Sequence, residues 1–104
     1  MTKSVHISEN VNRNVAEVYL FMSRLEDLGA WMAYLPAGAE VRFAKPNYSG
    51  VLDHWYTRGG TTTYVPMRVI EDGKDSEIVL TIRGDVDPEV FVSSLKALKQ
   101  LLEA

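Results

Sequence analysis

Asp53 and His54 are neighbours in the sequence, and a carboxylate beside an imidazole is a common source of general acid–base chemistry. Consecutive side chains of a strand leave the backbone on opposite faces, so adjacency alone does not make them a dyad. Asp53 alternates with Val51 and Trp55. If that set faces a core, desolvation raises the Asp53 pKa toward the range of a general acid or base. Asp53 is therefore the candidate catalytic group, set against a plainer reading as a sheet-end carboxylate that reaches solvent or a backbone donor. His54 and Arg68 then belong to a polar outer face with Leu52, Tyr56 and Tyr64. His6 and His54 are the only imidazoles and there is no cysteine, too few groups for three convergent ligands, so neither a metal nor a cofactor is expected. Ser23, Ser49, Ser76, Ser93 and Ser94 have no nucleophile-elbow context. Arg58-Gly59-Gly60 lies between strand patterns rather than before a helix, which makes it a hairpin turn and not a phosphate loop.

The elements that must position these groups follow from periodicity. Residues 3–9 alternate with Val5 and Ile7 on one face, as a half-buried strand does. Val15, Val18, Tyr19, Met22 and Leu25 fall three or four apart and make a helical stripe, with Asn12 or Asn14 as its cap. Ser23 and Glu26 have capping-box spacing for a second short helix burying Leu28, Trp31, Met32 and Leu35, which Pro36-Ala37-Gly38 stops. Strands are expected over 40–45, 51–57, 61–71 and 77–83, separated by Pro46-Asn47, by Arg58-Gly59-Gly60 and by Asp72-Gly73-Lys74-Asp75. Val65, Met67 and Val69 form an apolar face with Ile78, Leu80 and Ile82, and Val51, Asp53 and Trp55 are assigned to it. Asp87-Pro88-Glu89 starts a last helix whose stripe is Phe91, Leu95, Leu98, Leu101 and Leu102.

The chain is 104 residues long, with 46% hydrophobic and 24% charged residues and a net charge of −3, which suits one globular domain spanning 1–104. Without cysteine there is no disulfide framework and no thiol nucleophile. No basic cluster is present for phosphate neutralisation, so nucleic acid is not an expected partner. The longest nonpolar stretch, 30–39, contains Pro36 and Gly38 and falls well short of the roughly 20 residues of a membrane span. A cytoplasmic location is the default. The element order packs most simply as an α+β helix-grip: a curved antiparallel sheet of about five strands, two short helices at one end, and the long last helix on the concave face.

Ile7-Ser8-Glu9 with Asn12-Arg13, Ala16-Glu17-Val18-Tyr19, Phe21-Met22-Ser23 and Trp31 resemble the opening of START-like proteins of the polyketide cyclase/dehydrase type, in the SRPBCC superfamily. The series continues through Val41-Arg42-Phe43-Ala44, Gly50-Val51-Leu52-Asp53-His54, Pro66-Met67-Arg68-Val69, Ser76 to Thr81, and Leu95 to Glu103. The resemblance implies binding of a lipid, polyketide or aromatic metabolite between the last helix and the sheet. Trp31, Tyr34, Trp55, Met67, Leu80, Phe91 and Leu95 would be the ligand surface. One alternative is a cyclase or dehydratase that uses Asp53 for proton transfer; another is a noncatalytic interaction module without a cavity. Members of the family usually carry a further β-hairpin where only Leu35 to Glu40 stands here. Its loss leaves 40–45 as an edge strand, blunted in part by Arg42 and Lys45, and a homodimer is the expected assembly.

Overall fold

Asn14 closes the first strand, β1 (Ser4–Val11), and opens the first helix, α1 (Val15–Met22). Its side-chain oxygen accepts the Glu17 N–H at 2.9 Å while its amide donates to the Glu17 carboxylate at 2.7 Å, so the cap satisfies a donor that the helix leaves orphaned. The structure, a computed structural model, describes residues 4–36, 38–45, 50–83 and 87–104. The second expected helix is a short 3-10 segment, Leu25–Ala30, and Ser23 does not cap it. Ser23 Oγ donates back to the Leu20 carbonyl at 3.1 Å, and the capping position is Arg24, whose side chain makes no cap bond.

The remaining elements are β2 (Glu40–Phe43), β3 (His54–Arg58), β4 (Thr61–Val65), β5 (Met67–Asp72), β6 (Asp75–Arg83) and α2 (Pro88–Glu103). The turn expected at Pro46-Asn47 lies outside the described residues. In place of one sheet of about five strands, the described residues form two three-stranded antiparallel sheets, ordered β1-β6-β5 and β2-β3-β4. The division falls at Pro66, within the single strand expected over 61–71, because proline has no N–H to give the ladder.

A corner joins the two sheets. Leu52 N–H donates to the Met67 carbonyl at 2.9 Å, Val69 N–H donates to the Gly50 carbonyl at 2.8 Å, and Val51 bridges Arg68. Gly50 has φ +75° and packs so close to Val69 that any Cβ would strike the Val69 carbonyl oxygen; the corner needs glycine there.

The Gly59-Gly60 loop sets Arg58 opposite Thr61, and the ladder then places His54 opposite Val65 and Tyr56 opposite Thr63. Leu52, His54 and Tyr56 consequently share the inner face with Val65 and Met67, while Asp53 and Trp55 face out. This corrects the expected assignment of 51–57 by one residue, enough to exchange its two faces. On the sheet containing β6 the expected face holds: Met67 and Val69 stand opposite Leu80 and Ile78, all buried.

Phe91, Leu95 and Leu98 of α2 are buried in the same core as these residues, and each contributes about 1.5–3 kcal/mol by leaving water. Asp87 caps α2 by accepting the Glu89 N–H at 3.0 Å. At the other end Lys99 Nζ donates to the Asn10 carbonyl at 2.6 Å, and Glu103 accepts the Asn12 N–H at 2.7 Å. The end of the helix is thereby tied to the end of β1 and the turn after it. Among the described residues, no helix is long and apolar enough to cross a membrane.

Candidate functional site

The inner face of the β2-β3-β4 sheet carries two cross-strand rows, Phe43–His54–Val65 and Val41–Tyr56–Thr63. Exposure rises along β3, from the fully buried His54 through the half-buried Tyr56 to the exposed Arg58. Above the first row lies Tyr34, in the turn after the 3-10 segment. Ser94 of α2 anchors that turn by accepting the Ala33 N–H at 3.0 Å.

Tyr34 and His54 form a buried polar pair. The Tyr34 hydroxyl lies 2.7 Å from His54 Nε2, and His54 Nδ1 lies 3.0 Å from the Leu52 carbonyl oxygen. A carbonyl only accepts, so Nδ1 carries the proton, Nε2 holds a lone pair, and the Tyr34 O–H donates to it. Apolar contacts enclose the pair: Phe91 stacks on Tyr34 at 4.4 Å between ring centres, and Phe43 lies 5.3 Å from His54. Burial lowers the His54 pKa below its ordinary value, with the Leu52 carbonyl opposing. Burial also drives the Tyr34 pKa far above that of a free phenol, with Tyr56 adding to the shift. Both groups are therefore neutral at physiological pH.

An opening of about 510 Å³ lies at the outer end of this face, lined by Pro36, Tyr56, Arg58, Gly59, Thr61 and Thr63. Tyr56 connects the opening to the pair beneath, its ring centre 6.2 Å from that of Tyr34. A second opening, about 460 Å³, runs along β2 beside α1 and is lined largely by Tyr19, Val41, Phe43, Ala44 and Leu52.

Asp53 lies on the other face. Its Oδ1 accepts the Met67 N–H at 3.0 Å and pairs with Arg68, and its Oδ2 accepts the Tyr64 O–H at 2.6 Å. Burial pushes the carboxyl pKa up, but the Tyr64, Met67 and Arg68 donors together outweigh it and hold the pKa below its ordinary 3.8. The raised value expected for an inward Asp53 is thus corrected to a lowered one. One rung along, Arg42 sits 5.1 Å above the Trp55 ring, and Trp55 stacks on Tyr64 at 5.1 Å.

Of the residues expected at a ligand site, Trp31, Tyr34, Met67, Leu80, Phe91 and Leu95 are all buried inside, and among these Tyr34 and Phe91 meet face to face. Trp55 is on the outer face with Asp53. The Trp31 indole N–H is buried without a partner among the described residues. Apolar alternation does not place His54 and Tyr56 on the inner face, but the hairpin carries a signal that does. A two-residue loop at Gly59-Gly60 fixes Arg58 opposite Thr61, and counting back along the ladder puts His54 beside Val65.

No protein-family model matches the chain, and no curated protein matches it by sequence. Solved structures do match in fold. CalU16 from Micromonospora echinospora superposes with a TM-score of 0.72 at 14% identity, over 96% of this chain and 74% of that one. An AHSA1-like protein from Rhizobium etli gives 0.68 at 16% identity, over 100% and 84%. Norcoclaurine synthase from Thalictrum flavum, in complex with dopamine and hydroxybenzaldehyde, gives 0.67 at 11% identity, over 97% and 86%. At such identities the likeness concerns the fold alone: the chain shares the START-like fold of these structures.

Proposed function

We propose that this START-like chain binds a small aromatic or otherwise apolar molecule carrying a polar oxygen, held at the outer end of the inner face between the Pro36 turn and the β3–β4 hairpin. The observation that carries the reading is the opening of about 510 Å³ that has Tyr56 as a wall and the Tyr34–His54 pair beneath it. Its volume is in the range of small-molecule sites, which combine apolar walls with a few placed polar groups. Tyr56 supplies an aromatic surface, Thr61 and Thr63 supply hydroxyls, and Arg58 places a cation at the rim. A fold neighbour crystallised with dopamine and hydroxybenzaldehyde supports a flat aromatic occupant. The deeper space between α2 and the sheet offers less, because Met67, Leu80 and Leu95 fill it as core.

A cyclase or dehydratase using Asp53 has weaker support. The Asp53 carboxylate is held as an anion on the outer face by three donors.

Calorimetric titration with phenols, aromatic aldehydes and aromatic carboxylates tests the proposal. A binder should also raise the melting temperature, since a ligand at about 100 times its Kd adds roughly 2.7 kcal/mol by mass action. Tyr56→Ala should weaken the tightest compound roughly ten-fold, the scale of one aromatic contact. If no compound in the set binds, or if Tyr56→Ala binds as tightly as wild type, the proposal fails.

A further inference from the structure

We infer that the free edge of β2 pairs with β2 of a second copy, antiparallel and centred on Val41. Ala44 N–H donates to the Asp53 carbonyl at 2.9 Å. Hydrogen-bonded pairs alternate along an antiparallel ladder, so Arg42 and Glu40 also turn their backbone groups toward β3. The N–H and C=O of Val41 and Phe43 therefore point away from the sheet, and no backbone partner for them is seen among the described residues. An unpaired edge of this kind is a template for another strand.

The side chains along β2 fit a copy of the same strand. Glu40 and Arg42 are exposed on the outer face, while Val41 and Phe43 are half-buried on the inner face beside the 460 Å³ opening at α1. Three symmetric registers bring the edge groups of two copies together. Centring on Arg42 sets two arginines directly opposite, which repels. Centring on Phe43 puts Arg42 opposite Ala44 and leaves the charges unmatched. Centring on Val41 places each Glu40 opposite an Arg42, twice by symmetry, and sets the two Val41 side chains together over the apolar opening. Only this last register is complementary in charge and apolar on its inner side. The inference does not depend on the ligand proposed above.

Sedimentation of wild type, Glu40→Arg, Arg42→Glu and the double swap tests it. Wild type should be a dimer. Each single change replaces two attractive pairs with two repulsive ones and should weaken association by roughly ten-fold or more, while the double swap should restore it. Glu40→Arg leaves the Arg42 contact with Trp55 intact and so separates the edge from the rung behind it. Val41→Pro removes an outward N–H without touching the ladder to β3, and should give a monomer with unchanged circular dichroism. A wild type that stays monomeric up to its solubility limit would overturn the inference and leave the edge to some other chain. So would a dimer indifferent to the single charge changes, or a double swap that fails to recover.

Discussion

Two tyrosines each give a hydroxyl to one of two neighbouring residues, on opposite faces of one strand. Inside, Tyr34 donates to His54, and the pair is kept neutral by burial. Outside, Tyr64 donates to Asp53, and Arg68 helps keep that carboxylate charged. The inner pair joins two side chains and one carbonyl and is worth little more than its own satisfaction, as buried polar groups usually are. The outer cluster accepts a main-chain N–H, that of Met67, at the corner where Pro66 interrupts the ladder. The contrast is one of environment: the outer cluster fixes a main-chain donor at the sheet corner with a charge held near solvent, whereas the inner pair satisfies its own polar atoms inside the core.

The largest test removes the inner pair. His54→Ala opens a cavity and strands the Tyr34 hydroxyl and the Leu52 carbonyl, at an expected cost of about 3–4 kcal/mol in urea unfolding. His54→Leu alone should cost about 2 kcal/mol, because the Tyr34 hydroxyl loses its acceptor. Joined with Tyr34→Phe, which removes the stranded hydroxyl, the double variant should recover part of that loss, the Leu52 carbonyl still lacking its His54 donor. A double variant that loses the full sum of the two singles would mean the pair is not coupled, and the contrast with the outer cluster would collapse.

Asp53→Ala comes next, at about 2 kcal/mol near neutral pH, since it leaves the Met67 N–H without an acceptor. Acid separates the two faces by window. Both groups have lowered folded pKa values, so for both the unfolded chain binds more protons and stability falls as pH falls. For His54 the loss starts as pH drops through its ordinary 6.5 and continues down to the folded value. For Asp53 it starts only near 3.8. Unfolding free energies should thus decline between about pH 7 and 5 in wild type and stay flatter over that window in His54→Gln, while Asp53→Asn should change the slope only below about pH 4, its neutral-pH cost being a constant offset above that. An unchanged slope in His54→Gln would show that the inner histidine is not held neutral.

Local chemistry made much of the fold legible. Asn14 and Asp87 act as the caps their types predict, the Asp72–Asp75 turn closes the β5–β6 hairpin, and of the expected α2 stripe Phe91, Leu95 and Leu98 lie in the core with Leu102 packed against it, while Leu101 in the last turn is exposed. Pattern failed at residues 51–57 because both alternating sets look half-apolar: Val51 and Trp55 flank an acid, and Leu52 and Tyr56 flank a histidine. Apolar periodicity does not choose between faces with one polar member each; the register from the hairpin loop does. The Tyr34–His54 pair was out of reach for a different reason. Tyr34 lies in an irregular turn held by Ser94 of α2, so its position depends on packing between distant segments and on no local period.

The smallest expected effect is that of Tyr64→Phe, the outer counterpart of Tyr34→Phe. It keeps the stack on Trp55 and deletes only the hydroxyl bond to Asp53. Tyr64 is 38% exposed, so water can replace the lost donor, and the cost should stay near 0.5–1 kcal/mol despite the charged acceptor. The Asp53 pKa should rise toward its ordinary value once one of its donors is gone, a change readable from carboxyl carbon shifts across an acid titration. Tyr34→Phe has no such relief, because the His54 Nε2 it leaves behind is fully buried. If Tyr64→Phe costs as much as Tyr34→Phe, or leaves the Asp53 titration where it was, then exposure is not what separates the two faces.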